Sequence, residues 1–233
     1  MDYQTIIAEL HALANPEKAA FKQKKFGIVA TNAFGIYMSD LNALARKVPK
    51  DADLALQLIA SDIYEARLLG AKVYPPKDLT PELMDSWITT FDNWEICDTF
   101  CMGLFAKSKH ALPKISEWAH RKPLYEKRAA FATLAAYCMA DKKAENETFE
   151  DFYPLIKAHA RDDRDHIRKA ISWALRSIGK RNKDLKISAI ACAEDILMQG
   201  TRSGIWIAKD VLKELQKTGL RSSDYPRSIY RPG

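Results

Sequence analysis

Apolar positions along the chain recur at the three- and four-residue spacing of amphipathic helices from one end to the other, and the strict alternation of a half-buried strand is almost missing. That pattern predicts about thirteen helices, at residues 2–14, 16–25, 39–48, 51–60, 61–70, 80–90, 93–106, 111–121, 123–140, 147–160, 163–182, 184–199 and 203–218. Helix starts are marked by capping oxygens or a helix-initiating proline at Asn15-Pro16, Ser39-Asp40, Thr80-Pro81, Asp92-Asn93 and Thr148. Residues 26–38, FGIVATNAFGIYM, are the one stretch with an extended look, and they read as a loop between helices. Short helices joined by short links, with pairs returning about every 35 to 45 residues, predict an all-α solenoid of about six HEAT-like or ARM-type helical pairs. One such domain would run over 1–220, and the tail 221–233, RSSDYPRSIYRPG, would be a loosely held basic C-terminus.

Composition narrows the classes. In 233 residues, 47% are apolar and 28% charged, enough to bury a core and too apolar for disorder. No window approaches the roughly 18 apolar residues of a membrane span, and the N-terminus has acids where a signal peptide is basic. A cytoplasmic protein without membrane contact is expected. The net charge of +6 is unevenly distributed: residues 1–116 carry 13 basic and 14 acidic side chains, residues 117–233 carry 23 and 16. A one-sided positive field favours a polyanion, and a solvated basic surface with no partner is its bland alternative. Cys97, Cys101, Cys138 and Cys192 form no CxxC pair and sit in apolar stretches, so reduced core thiols are expected. The five histidines make no HExxH or HxxxH pattern, and glycine-rich nucleotide loops are missing, so neither a metal nor a cofactor is implied.

Three segments carry candidate chemistry. On the helix at 163–182 the apolar stripe is Ile167, Ala170, Ile171, Ala174, Leu175 and Ile178. Trp173 projects about 130° away from that stripe, among Lys169, Arg176 and Lys180. An indole flanked by cations can stack on a flat group while its neighbours hold phosphates; alternatively it packs under the next helix with lysine stems over it. At 84–107, Trp94 and Asp98 are one turn apart, so an aromatic face and a carboxylate point the same way. Such a pair can stabilise an oxocarbenium-like sugar or position a water, and its alternative is ordinary core packing with a dipole-favoured acid. At 123–141, Arg128 stands among small alanines, suited either to a phosphate or to an internal ion pair.

These residues resemble a known group. FDNWEICD at 91–98, KRAAFATLAAY at 127–137, IRKAISWALRSIGKRN at 167–182 and WIAKDVLKEL at 206–215 are similar to the DNA alkylation repair proteins of the HEAT-like-repeat DNA glycosylase (AlkD) family, over roughly residues 10–218. The resemblance implies a solenoid whose concave basic face cradles duplex DNA containing alkylated bases, and hydrolysis of the N-glycosidic bond of cationic N3- or N7-alkylated purines. It implies Asp98 as catalytic carboxylate, Trp94 and Trp173 as lesion contacts, and Arg128, Lys169, Arg176, Lys180 and Arg181 as holders of the DNA backbone. A monomeric, nucleoid-associated monofunctional glycosylase without metal or cofactor is the resulting expectation; a non-catalytic DNA-structure-binding scaffold is the alternative. The family has a tyrosine in its N-terminal helix where this chain has Lys25, with Phe26 beside it. The third aromatic wall is the feature on which this sequence departs from the pattern.

Overall fold

The computed structural model describes residues 1–30 and 32–232, so Thr31 of the expected loop and Gly233 of the tail lie outside the described residues. Among those residues the regular secondary structure is helical, without strands, and the chain falls into two compact units, 1–109 and 110–233. The first unit holds α1 (Tyr3–Ala12), α2 (Pro16–Phe26), α3 (Met38–Lys47), α4 (Ala52–Ala60), α5 (Tyr64–Val73), α6 (Pro81–Ile88) and α7 (Trp94–Gly103). The second holds α8 (Ala111–Trp118), α9 (Leu124–Ala140), α10 (Glu147–Glu150), α11 (Tyr153–His159), α12 (Asp165–Gly179), α13 (Lys183–Met198), α14 (Arg202–Leu215) and α15 (Arg227–Tyr230). No helix is long and apolar enough to cross a membrane among the described residues.

Asn15, Thr80 and Asn93 cap helices as their chemistry predicts; the Asn93 side chain accepts from the backbone N–H of both Glu95 and Ile96, at 3.0 and 3.1 Å. Ser39 and Asp40 instead lie inside the first turn of α3, where the Asp40 charge faces the positive end of the helix. The expected helix at 147–160 is two helices. Pro154 lacks an N–H, so it cannot continue the bonding of α10 but fits the first turn of α11.

In the first unit the link between α2 and α3 is held from outside. Buried Glu65 on α5 accepts from the N–H of Phe34 and Gly35, both at 2.8 Å, and of Ile36 at 3.3 Å. Gly35 has φ +74°, and a Cβ there would sit 2.1 Å from the Asn15 carbonyl oxygen, so no residue with a Cβ fits at this position. The α4–α5 pair packs as closely: a Cβ on Gly70 would meet the Ile59 side chain at 2.6 Å.

In the second unit α9 packs against α12, and both helices carry fully buried alanines, Ala129, Ala130 and Ala132 on α9 and Ala170 and Ala174 on α12. The α12 stripe from Ile167 to Ile178 is core, as its periodicity predicts. The helix ends at Gly179, however, three residues before its expected limit, and Asn182 turns to cap α13 by accepting from Asp184 and Leu185. The tail is likewise anchored. Tyr225 is buried, Ser223 and Tyr225 donate their N–H to the carbonyls of Lys180 and Arg181 at 2.9 and 3.0 Å, and the Tyr230 hydroxyl donates to Asp184 at 2.8 Å. Two tyrosines give this polar segment enough to bind, a long-range fact that local composition conceals.

Candidate functional site

The Asn93 cap fixes where α7 begins and therefore places Trp94 at its first position and Asp98 one turn later. Both side chains are half-buried and both line one cleft of about 540 Å³, together with Met38, Asn42, Lys72 and Met102. Its size falls within the range of small-ligand sites, about 300–1,000 Å³. The sequence expectation that an indole and a carboxylate point the same way is met by this shared cleft. The neighbouring acid, Glu95, has another task. It takes both ammonium bonds of buried Lys22, at 3.0 and 2.9 Å, and one from the Tyr64 hydroxyl at 3.1 Å. Burial, followed by the Glu95 charge, holds the Tyr64 phenol far above its ordinary range. Glu95 thus ties α2, α5 and α7 together, which steadies the base of the cleft.

An aromatic residue that the sequence signal left ambiguous stands beside Trp94. The Phe26 ring, at the end of α2, meets the indole nearly edge-on, with centroids 6.0 Å apart and planes at 81°, and is 42% exposed. The indole Nε1 donates to the Phe26 carbonyl at 3.4 Å. The Lys25 ammonium lies over both neighbouring rings, 5.1 Å from that of Phe21 and 5.5 Å from that of Phe26. At the position where the resemblance lacks its tyrosine, Phe26 supplies a ring and Lys25 a charge above it.

In the second unit Trp173 is half-buried on α12, off the core stripe. The cations around it are not equally available. Lys169 is the most exposed, with 55% of its side chain in solvent and a distant Asp165 at 3.9 Å. Arg176 pairs with Asp210 at 3.3 Å, and Lys180 with Glu214 at 2.7 Å, so two of the three are met by carboxylates of α14. Lys180, and after it Lys217, hold the Glu214 carboxyl down to about 2. Arg128 on α9 is 6% exposed and its Nη1 donates to the His166 carbonyl on α12 at 2.6 Å, so the guanidinium bridges two packed helices.

Arg181 requires a correction. The residue is fully buried, and its guanidinium donates to the carbonyl of Cys138, to that of Asp141 at 2.8 Å and to that of Ala144 at 3.0 Å, with Phe149 stacked 4.0 Å away. Because α12 stops at Gly179, Arg181 lies beyond the face that carries Trp173 and turns into the interior. It belongs to the fold and has no exposed surface to offer a backbone phosphate.

The family profile described as "DNA alkylation repair enzyme" matches residues 6–203. A solved structure described as belonging to "a new family of proteins related to the HEAT-like repeat DNA glycosylases with affinity for branched DNA structures" is similar in fold, with a TM-score of 0.75, 16% identity, and coverage of 96% of this chain and 98% of that one. Comparison with curated protein sequences finds no match. The profile spans most of both units and includes the whole of α7, α9 and α12, and on that ground the chain belongs to the DNA alkylation repair enzyme family, with the all-α architecture of HEAT-like repeats.

Proposed function

We propose that the protein is a DNA glycosylase that hydrolyses the N-glycosidic bond of cationic N3- or N7-alkylated purines in duplex DNA. The observation that carries the reading is the sharing of one cleft by the Trp94 indole and the Asp98 carboxylate, with the second aromatic ring of Phe26 against the indole. A quadrupolar indole face attracts a flat cation, and the alkylpurines in question are flat and cationic. As the bond between sugar and base nitrogen breaks, its electron pair goes to the base, which leaves neutral, and positive charge moves to the sugar ring. A carboxylate beside that ring stabilises the charge more than it stabilises the starting nucleotide, which is the condition for lowering the barrier. Asp98 then orients the water that attacks the sugar carbon and accepts its proton. Trp173 with Lys169, Arg176 and Lys180 is proposed to contact the same DNA, the last two by exchanging α14 carboxylates for phosphates, and Arg128 to hold the backbone near α12. Binding through such exchange should weaken with salt as counterions are released.

A second reading, recognition of DNA structure without base removal, is favoured by the relative in fold described by its affinity for branched DNA. One experiment separates them. Methylated duplex DNA is incubated with the protein and free bases are measured by mass spectrometry, while affinities for intact duplex and a four-way junction are measured in parallel. Release of 7-methylguanine or 3-methyladenine at a rate above spontaneous loss supports the glycosylase. Junction preference with no base released overturns it in favour of the scaffold.

A further inference from the structure

Next to the Trp94–Asp98 cleft lies a second one of about 590 Å³, and the two share Asn42, Lys72 and Gly103. The second is lined by the charged side chains of Arg46, Lys50, Lys72 and Lys107, and no carboxylate lines it. Composition does not account for the gathering, because residues 1–109 contain 12 basic and 14 acidic side chains and so have no positive excess. Among the described residues none of the four makes an ion pair. Lys50 donates to the Lys72 carbonyl at the end of α5, and Lys107 donates to the Gly103 carbonyl at the end of α7, at 2.9 Å. The carbonyl ends of two helices therefore hold two ammoniums beside a third and a guanidinium. Lys50 and Lys72 are both pulled below the ordinary lysine range, first by burial and then by the Lys107 charge, which for Lys72 outweigh the opposing pull of the Glu95 carboxylate in the neighbouring cleft.

We propose that this cleft is a phosphate subsite, which takes a phosphodiester of the DNA strand whose base occupies the Trp94–Asp98 cleft. The proposal rests on the reading of that cleft as the base site. Lys72 borders both spaces, so a nucleotide at the first cleft brings its flanking backbone next to the second. Phosphate oxygens supply the negative charge that the protein leaves out of the cleft, and a diester does so without needing a proton from any partner. A free carboxylate metabolite would meet the same cations but would have no reason to sit beside an aromatic base site.

The test uses the protein with Lys50 and Lys107 replaced together, K50Q/K107Q, and a charge-matched control, K24Q/K77Q, at two positions that line neither cleft. Affinity for methylated duplex is measured across a series of salt concentrations, and base release is measured at saturating DNA. The proposal predicts that K50Q/K107Q lowers the slope of log affinity against log salt by about 1.8, the value for two lost phosphate contacts at roughly 0.9 each. It also predicts restoration of the slope by K50R/K107R. A merely structural role as helix-end caps would alter melting and leave the slope alone. A slope equal to that of wild type, or an equal fall in the control, overturns the subsite. Absence of base release by the wild type with the slope effect present overturns the glycosylase and leaves the subsite standing, so the two failures are distinct.

Discussion

At the scale of single residues, the signals that survive translation into structure are those that a helical wheel encodes. Trp94 and Asp98 share a cleft, and Trp173 stands off its core stripe, because the 3.6-residue period fixes direction before any tertiary contact forms. Phe26 was not legible in that way. It lies at the last position of α2, 68 residues before Trp94, and nothing local tells its ring from the exposed Phe21 ring 5.8 Å away. Stacking on an aromatic side chain is worth about 1–3 kcal/mol per base. Phe26→Ala should therefore weaken binding of a lesion-containing duplex by roughly tenfold or more relative to undamaged duplex, and Phe26→Tyr should retain it. Titration of both duplexes against each variant checks this; an equal loss on damaged and undamaged DNA would remove Phe26 from the base site.

Whole elements show where the sequence signal runs out. The positions of α6 to α9 and α12 to α14 follow from apolar period and capping oxygens, whereas the count rises from about thirteen to fifteen among the described residues, because 147–160 is split at Pro154 and α15 forms in the tail. The end of α12 does not follow from period and caps. Residues 180–182, Lys-Arg-Asn, continue the helical periodicity by letter, yet Asn182 serves as the cap of α13, and this choice between neighbouring helices is made by tertiary packing. Its consequence is that Arg181 is buried against three carbonyls. Arg181→Met keeps a side chain over Phe149 but orphans the carbonyls of Cys138, Asp141 and Ala144. The relief of a buried charge offsets part of that cost, and the orphaned acceptors dominate. Chemical denaturation should show a loss of about 3 kcal/mol with affinity for DNA unchanged in the folded fraction. Stability within about 0.5 kcal/mol of wild type, or a specific loss of DNA affinity, would return Arg181 to the binding surface.

For the molecule as a whole, charge asymmetry and helical repeats are legible enough to suggest a polyanion partner, and the residue motifs point to the DNA alkylation repair enzyme family, whose profile matches residues 6–203. Sequence charge alone gives the first unit no claim on phosphate, since its acids outnumber its bases. Folding changes that by sending Glu95 to Lys22 and leaving Arg46, Lys50, Lys72 and Lys107 together. In the second unit it does the opposite, giving Arg176 and Lys180 carboxylate partners from α14. Net charge counts such groups equally, whereas a ligand meets only what the fold leaves accessible.

The most direct test of the account is single-turnover release of 7-methylguanine by Asp98→Asn at saturating methylated duplex. Asparagine keeps the shape of the side chain and removes its charge. If Asp98 stabilises the sugar cation and takes the proton of water, release falls by about a hundredfold or more while affinity for the duplex stays within about threefold. Release by the variant at the wild-type rate would contradict the central claim.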